Sequence, residues 1–237
     1  MAPHALVPIL LYHRLGTPPR GARVPGQYVS PRRFRRHLAF LRARGYHSLP
    51  LLALATPEAD LTLKPVVITF DDGYAGLHAH ALPALSEFGF QATVFMVADG
   101  IGGVNSWETA IGDVEEPMLS LAQMQEMRHT GVEFGSHTLR HPHLTALPPA
   151  QMAEEIGDSR RRLEDQLGAP CLSFAYPYGD WNQAARELVE EAGYRVACST
   201  RRAVARADDD RLALPRINIR RHNVAPYFAY KLWRAGR

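Results

Sequence analysis

Cysteine is nearly missing: Cys171 and Cys198 are the only two in 237 residues, far apart and outside any CxxC pair. That excludes a disulfide framework and a thiolate metal knot, and leaves each thiol as a small buried apolar side chain. No apolar run reaches the roughly 18 residues of a membrane-spanning helix, so no membrane span is expected. The opening stretch Met1–Leu11 has neither a basic leader nor a small-residue cleavage site. It is a poor signal peptide, and a cytoplasmic location is the expectation that follows. Charge of one sign is scarce too: 27 Lys and Arg stand against 24 Asp and Glu, a formal net charge of +3. The arginine clusters, Arg32-Arg33 with Arg35-Arg36 and Arg160-Arg161-Arg162, fall within helical patterns. They read as solvated helix faces, and no nucleic-acid partner is expected. Internal repeats and linkers are absent, so residues 1–237 are expected to form a single domain with a large core.

What is present is organised around Val66-Val67-Ile68-Thr69-Phe70-Asp71-Asp72-Gly73. Four β-formers lead through Phe70 into two adjacent carboxylates and a glycine, the pattern of a buried strand that ends in acids. In parallel α/β sheets the C-terminal strand ends carry the chemistry, and neighbouring aspartates repel unless a cation or a shared proton intervenes. Ile9-Leu10-Leu11-Tyr12-His13 is a second strand candidate, and it ends in a histidine. Ser30-Pro31 then caps a helix with Phe34, Leu38 and Leu41 on its apolar face, which places His37 on the exposed arginine-rich side. Further helices end at Gly89, Gly131, Gly168 and Gly193, and strands are expected near Gln91–Val97, Val132–Phe134, Cys171–Ala175, Arg195–Ser199 and Leu214–Ile219. The irregular stretch from Asp99 to Pro117, with Trp107, is long enough to be a lid over a site. Strand and helix alternate about seven times, which predicts a parallel sheet covered by helices, closed or nearly closed like a (β/α)8 barrel.

Three histidines, His137, His141 and His143, crowd one short turn. Pro142 disfavours helix at His141, so His137 and His141 belong to a strand-end turn rather than to one helix face. Two imidazoles with a carboxylate from another strand end would make the open three-ligand site typical of catalytic zinc. His143 is left with a structural role.

Thr69-Phe70-Asp71-Asp72-Gly73, Ser136-His137-Thr138 with His141 and Leu144, and Phe174-Ala175-Tyr176-Pro177-Tyr178-Gly179 resemble three successive motifs of the NodB-homology polysaccharide deacetylases, carbohydrate esterase family 4. The resemblance runs from about Ile9 to His222 and implies a distorted (β/α)7–8 barrel. It also implies a divalent metal, Zn²⁺ by default with Co²⁺ or Ni²⁺ as alternatives, held by Asp72, His137 and His141. Asp71 becomes the general base, and Tyr176, Pro177, Tyr178 and Trp181 lie on the substrate side, with the Tyr178 N–H facing the oxyanion. Two departures stand out. Ala175 occupies the place where the third motif commonly has arginine, which makes Arg216 the candidate to orient Asp71. The Leu-x-x-His motif that supplies the general acid near the family's C-terminus is matched here by Leu10-Leu11-Tyr12-His13 at the N-terminus. That placement resembles the circularly permuted subgroup with the poly-N-acetylglucosamine deacetylases; it makes His13 the acid and His222 its rival. The implied reaction is metal-dependent removal of N-acetyl groups from N-acetylglucosamine-type sugars or glycans. The alternatives are another C–N bond, as in a cyclic amide or ureide, an O-acetyl ester, or a carbohydrate-binding module without activity. Oligomeric state is left open.

Overall fold

The computed structural model describes residues 6–56 and 64–235; residues 1–5 of the opening stretch lie outside the described residues. The strands are β1 (Ile9–Tyr12), β2 (Arg14–Leu15), β3 (Tyr28–Val29), β4 (Tyr46–Leu49), β5 (Lys64–Phe70), β6 (Thr93–Met96), β7 (Glu133–Ser136), β8 (Ser173–Ala175), β9 (Val196–Cys198) and β10 (Ile217–Asn218). The helices are α1 (Pro31–Ala43), α2 (Gly76–Phe88), α3 (Ser106–Thr109), α4 (Leu121–His129), α5 (Pro149–Leu167), α6 (Gln183–Glu191) and α7 (Ala225–Ala235). The main sheet runs β10-β1-β5-β6-β7-β8-β9, with β4 on the lower part of β5. Every pairing in it is parallel. All these strands therefore present their C-terminal ends at one rim, where parallel α/β sheets carry their sites.

Alternation along β1 and β5 splits the core in two. Leu10, Tyr12, Val66, Ile68 and Phe70 face the helices and pack with Phe34, Leu38 and Leu77. Ile9 and Val67 face into the curl with Phe95, Ala175 and Cys198. Continuing that period of two beyond Val67 puts Thr69 and Asp71 on the inner side. Gly73 then turns the chain at φ 89°, where an added Cβ would lie 2.1 Å from the Met96 sulfur. A larger residue would be strained by the left-handed φ and would have to displace the end of the Met96 side chain.

The expected strand Leu214–Ile219 is split. Leu214 meets Cys198 of β9 in an isolated parallel bridge, while Ile217 and Asn218 pair with Leu10 and Leu11 of β1. Pro215 has no N–H to give a ladder, and the segment crosses from one edge of the curl to the other at that point. This crossing brings the two edges together. Both cysteines are buried free thiols, as their isolation in the sequence implies. No helix of the described residues is long and apolar enough to cross a membrane.

His37 corrects the sequence reading: its side chain is fully buried. Its Nε2–H donates to the Asn223 carbonyl (2.7 Å), its Nδ1 accepts from the Tyr12 hydroxyl (3.0 Å), and its ring stacks on Phe228 at 4.2 Å. The arginines mark one side of α1 as solvated, but α7 packs on α1 from far along the chain and its Phe228 covers His37 and Phe40. Burial pushes the His37 pKa down to about 4, and Arg33 adds to the effect against the bond to Asn223. The folded state thus takes up its proton less readily than the unfolded chain, whose histidines titrate near 6.5. The contribution of His37 is complete above that value and declines as pH falls towards the folded value. Between pH 7 and 5 it should cost about 2 kcal/mol of stability, an order-of-magnitude figure. Urea unfolding at the two pH values, compared with His37→Gln, measures it; an equal pH response in both proteins would refute it.

Candidate metal and acyl-transfer centre

Four strand ends meet at the rim. The Asp71 N–H donates to the Tyr12 carbonyl (3.0 Å), which sets Asp71 beside His13, and the His137 N–H donates to Met96 O (2.8 Å). Asp71 is clamped by Arg216 through two parallel bonds, Nη1 to Oδ1 at 2.6 Å and Nη2 to Oδ2 at 2.7 Å. Arg216 has no exposed surface. Its Nε–H donates to Ser199 O (2.9 Å) and its Nη1 also reaches Thr69 Oγ1 (3.2 Å). The inward register of β5 and the crossing after Pro215 thus build this pair from opposite ends of the chain.

Asp72 turns the other way. Its Oδ1 lies 3.5 Å from His137 Nε2 and 3.4 Å from His141 Nε2, with no hydrogen bond to its carboxylate among the described residues. One ligand atom from each of the three falls within 4.8 Å of the others, and all three residues are buried. His137 Nδ1 sits 2.7 Å from the Ala175 carbonyl and must carry the ring's proton there. Nε2 then turns a lone pair towards the Asp72 carboxylate. Lone pair against carboxylate is a repulsive contact unless a cation lies between, and the carbonyl that fixes a ligating imidazole's tautomer is the usual support of such a ligand. The donor set, two neutral imidazoles and one carboxylate, fits a divalent transition metal.

The electrostatics agree. Burial would raise the Asp71 pKa, but Arg216 and the His137 imidazole hold it below the usual carboxylate range. Burial, then repulsion from Asp71 and Glu108, pushes Asp72 well above that range. Burial lowers His137, and burial with neighbouring imidazoles lowers His141 well below the ordinary histidine value. One carboxylate is kept ionised by a paired arginine, while its neighbour has no such pair, and the more distant Arg14 and Arg216 do not offset its burial and the nearby carboxylates.

Asp72, Thr138, His141 and Tyr178 have φ of 73°, 68°, 62° and 60°, and they are the non-glycine residues with positive φ among those described. Left-handed backbone costs a residue with a Cβ on the order of 1 kcal/mol or more, and it persists only where the surroundings enforce it. The His137–His141 turn is enforced from beneath by Glu155. Its Oε2 accepts from the N–H groups of Leu139 and Arg140, both at 3.0 Å, and its Oε1 accepts from Arg140 Nε at 2.7 Å. Thr138 Oγ1 adds a bond from the His141 N–H (3.0 Å). Glu155 escaped the sequence reading, though a signal was there: it is an acid on the apolar stripe of α5, with Met152, Ile156 and Leu163.

The remaining candidates divide. Burial pushes the His13 pKa down to about 4; Asp71 opposes this, while Arg216 and Arg14 add to it. His222 is exposed and packs on Tyr227 at 5.8 Å. Tyr178 is half exposed, lies edge-on to His141 at 4.6 Å, and its N–H donates to no described residue. Pro177 is buried behind it. Tyr176 corrects the expectation of a sugar-facing ring: it is fully buried, with its hydroxyl donating to Leu212 O at 2.8 Å. Trp181, partly exposed, stacks on it at 5.9 Å. His143 is exposed and stacks on the Tyr178 ring at 3.9 Å. Trp107 lies 5.1 Å from the His141 ring and walls the site. Its segment is pinned by the buried Arg14, which pairs with Glu108 and, at 2.8 Å, with Glu116. Arg14 was not singled out in the sequence.

The comparisons agree with this architecture. Residues 58–197 match the sequence profile of the family described as polysaccharide deacetylase. The Bacillus subtilis protein YxkH, named for that family, is 31% identical over 91% of this chain and 72% of its own length. A Staphylococcus aureus poly-β-1,6-N-acetyl-D-glucosamine N-deacetylase is 24% identical over 66% of this chain; the match spans about half of that protein, 54%. Among solved structures, the Streptococcus pyogenes deacetylase PplD in complex with acetate superposes with a TM-score of 0.82 at 26% identity, covering 99% of each chain. IcaB from Ammonifex degensii gives 0.80 at 25% identity over 97% of each. A profile match over more than half of the sequence, and a relative at 31% identity along most of its length, make this chain a member of the polysaccharide deacetylase family.

Proposed function

We propose that residues 1–237 form one catalytic domain, a metal-dependent N-deacetylase of N-acetylglucosamine-type glycans. The observation that carries this reading is the pairing of unlike aspartates: Asp71 held ionised by the bidentate Arg216, and Asp72 facing the His137 Nε2 lone pair and the His141 Nε2 with no arginine or lysine in an ion pair with it among the described residues. Asp72, His137 and His141 would hold the ion, Zn²⁺ by ligand type with Co²⁺ or Ni²⁺ as substitutes. When bound, the ion supplies Lewis acidity, polarising the acyl carbonyl and acidifying water.

The protein's own groups do the rest. Asp71 takes the proton of the attacking water, and the bidentate Arg216 keeps its oxygens aimed at that task. The Tyr178 N–H donates to the oxyanion of the tetrahedral centre, a placement that its left-handed backbone makes possible. His13 is uncharged at rest, because burial lowers its pKa. It hands a proton to the departing sugar amine and is replenished by the proton that Asp71 took from the attacking water, which returns Asp71 to its ionised form. Trp107, Tyr178 and Trp181 present rings to the sugar, with Tyr176 supporting Trp181 from behind.

Acetate release from N-acetylglucosamine oligomers of graded length tests the proposal, with chelator and with Zn²⁺ added back. Chelation should abolish release and Zn²⁺ restore it. Release that persists in a protein shown to be metal-free would overturn the reading.

A further inference from the structure

A cavity of about 470 Å³ opens between α7, β10 and the loop after β9. Arg202, Arg220, His222 and Lys231 line it, and no acidic residue does; Asp71, Asp72, His137 and His141 take no part. Other arginines of this chain find carboxylates: Arg201, next to Arg202, pairs with Asp209, and Arg186 with Asp210 and Glu190. Neither Arg202 nor Arg220 has a carboxylate partner among the described residues. Lys231 donates only to uncharged oxygens, Asn218 O at 2.6 Å and Asn223 Oδ1 at 3.0 Å. Burial first, then Arg202 and Arg220, pushes the Lys231 pKa down to about 8.

Beside these cations stands an aromatic ladder. Tyr227 and Tyr230 stack at 6.0 Å, Tyr230 and Trp233 follow at 6.0 Å, and the three rings are 41%, 44% and 54% exposed. Tyr227 and Tyr230 line the cavity, so apolar faces and cationic heads meet in one concave site. Its place matters. Leu11 of β1 pairs in parallel with Asn218 of β10 and the Ile219 N–H donates to Leu11 O, so Arg220 and His13 follow neighbouring strand ends on the same side of the sheet.

We propose that this cavity binds a carboxylate-bearing sugar of the glycan being deacetylated; the inference rests on the glycan-deacetylase reading and deepens it. The arginine forks take the carboxylate through paired N–H bonds, and the tyrosine faces take the sugar ring. A plain glucosamine polymer is repelled by such a wall, so the acid belongs to the original glycan rather than to the product. The concavity favours a discrete sugar over a flat anionic lipid surface.

Titration calorimetry of the metal-loaded protein at low salt tests this with four probes: a hyaluronan hexasaccharide, which alternates glucuronate with N-acetylglucosamine, the neutral N-acetylglucosamine hexamer, inorganic phosphate, and phosphatidylglycerol vesicles. The acidic hexasaccharide should bind at least about tenfold more tightly than the neutral one. Arg202→Ala/Arg220→Ala, two exposed positions, should remove that preference, and added salt should weaken it. Tyr230→Ala should weaken the acidic sugar and leave phosphate binding as it was. Equal affinity for both sugars, an unchanged preference in the double variant, or phosphate binding as tightly as the acidic sugar would overturn the proposal. Binding to vesicles alone would overturn it in favour of a membrane surface. Because binding is read without turnover, a chain that holds the acidic sugar but releases no acetate defeats the deacetylase reading instead. A chain that hydrolyses neutral oligomers and ignores the acidic sugar defeats only this one.

Discussion

Asparagine in place of Asp71 should slow acetate release by about 10²–10⁴, the usual contribution of a positioned general base. The substitution keeps the shape of the side chain but removes its charge and its capacity to take a proton, so the fold of the variant is checked by its unfolding alongside the kinetics, because Arg216 loses its counter-charge. The loss should fall on kcat, because in the proposed reaction Asp71 meets the water and not the sugar. Metal content should persist, since Asp72 and not Asp71 faces His137 and His141 at 3.4–3.5 Å. Metal analysis alongside steady-state kinetics separates the two aspartates. Asp72→Asn should lose metal and rate together, whereas Asp71→Asn should lose rate alone. Full activity in Asp71→Asn would remove it as the base, and loss of metal from it would merge the two roles.

The position of the centre is legible in the sequence, because strand-end acids and histidines leave a local mark; the division of roles between the two aspartates is what the family resemblance implies. β5 announces itself as an apolar run that ends in Asp71-Asp72-Gly73, and its period of two puts Asp71 inside. His137 and His141 stand out through spacing, and Pro142 through what it forbids. The family resemblance, with Ala175 at the usual arginine position, makes Arg216 the candidate partner of Asp71, and the two side chains are in bidentate contact. What the sequence hid was long-range. His37 was assigned to solvent because its neighbours on α1 are arginines, yet Asn223 and Phe228 cover it from nearly the opposite end of the chain. Tyr176 sits in a motif that names a substrate wall, but the Leu212 carbonyl draws its hydroxyl inward. β4 was missed because Tyr46–Leu49 is half-buried along its length and has no apolar alternation to show. Glu155 and Arg14 act through backbone and loop contacts, and those contacts exist only after folding.

Methionine in place of Arg216 should be among the most destabilising single changes available, and its cost reports on the architecture without any assay of activity. The guanidinium is fully buried, and with it go both bonds to Asp71, the bond to Ser199 O and the contact with Thr69. Removing one partner of a buried, hydrogen-bonded pair leaves an uncompensated carboxylate and costs about 3–5 kcal/mol. Removing both can cost far less, because no charge is then stranded. Asp71→Leu/Arg216→Met should therefore be more stable than the sum of the single losses by about 1–3 kcal/mol. Urea unfolding of the four proteins in chelator, so that ion binding does not enter, gives the coupling directly. Strict additivity would mean that the two groups do not depend on each other for burial. The orienting role of Arg216 would then fall, even if Asp71 remained the base.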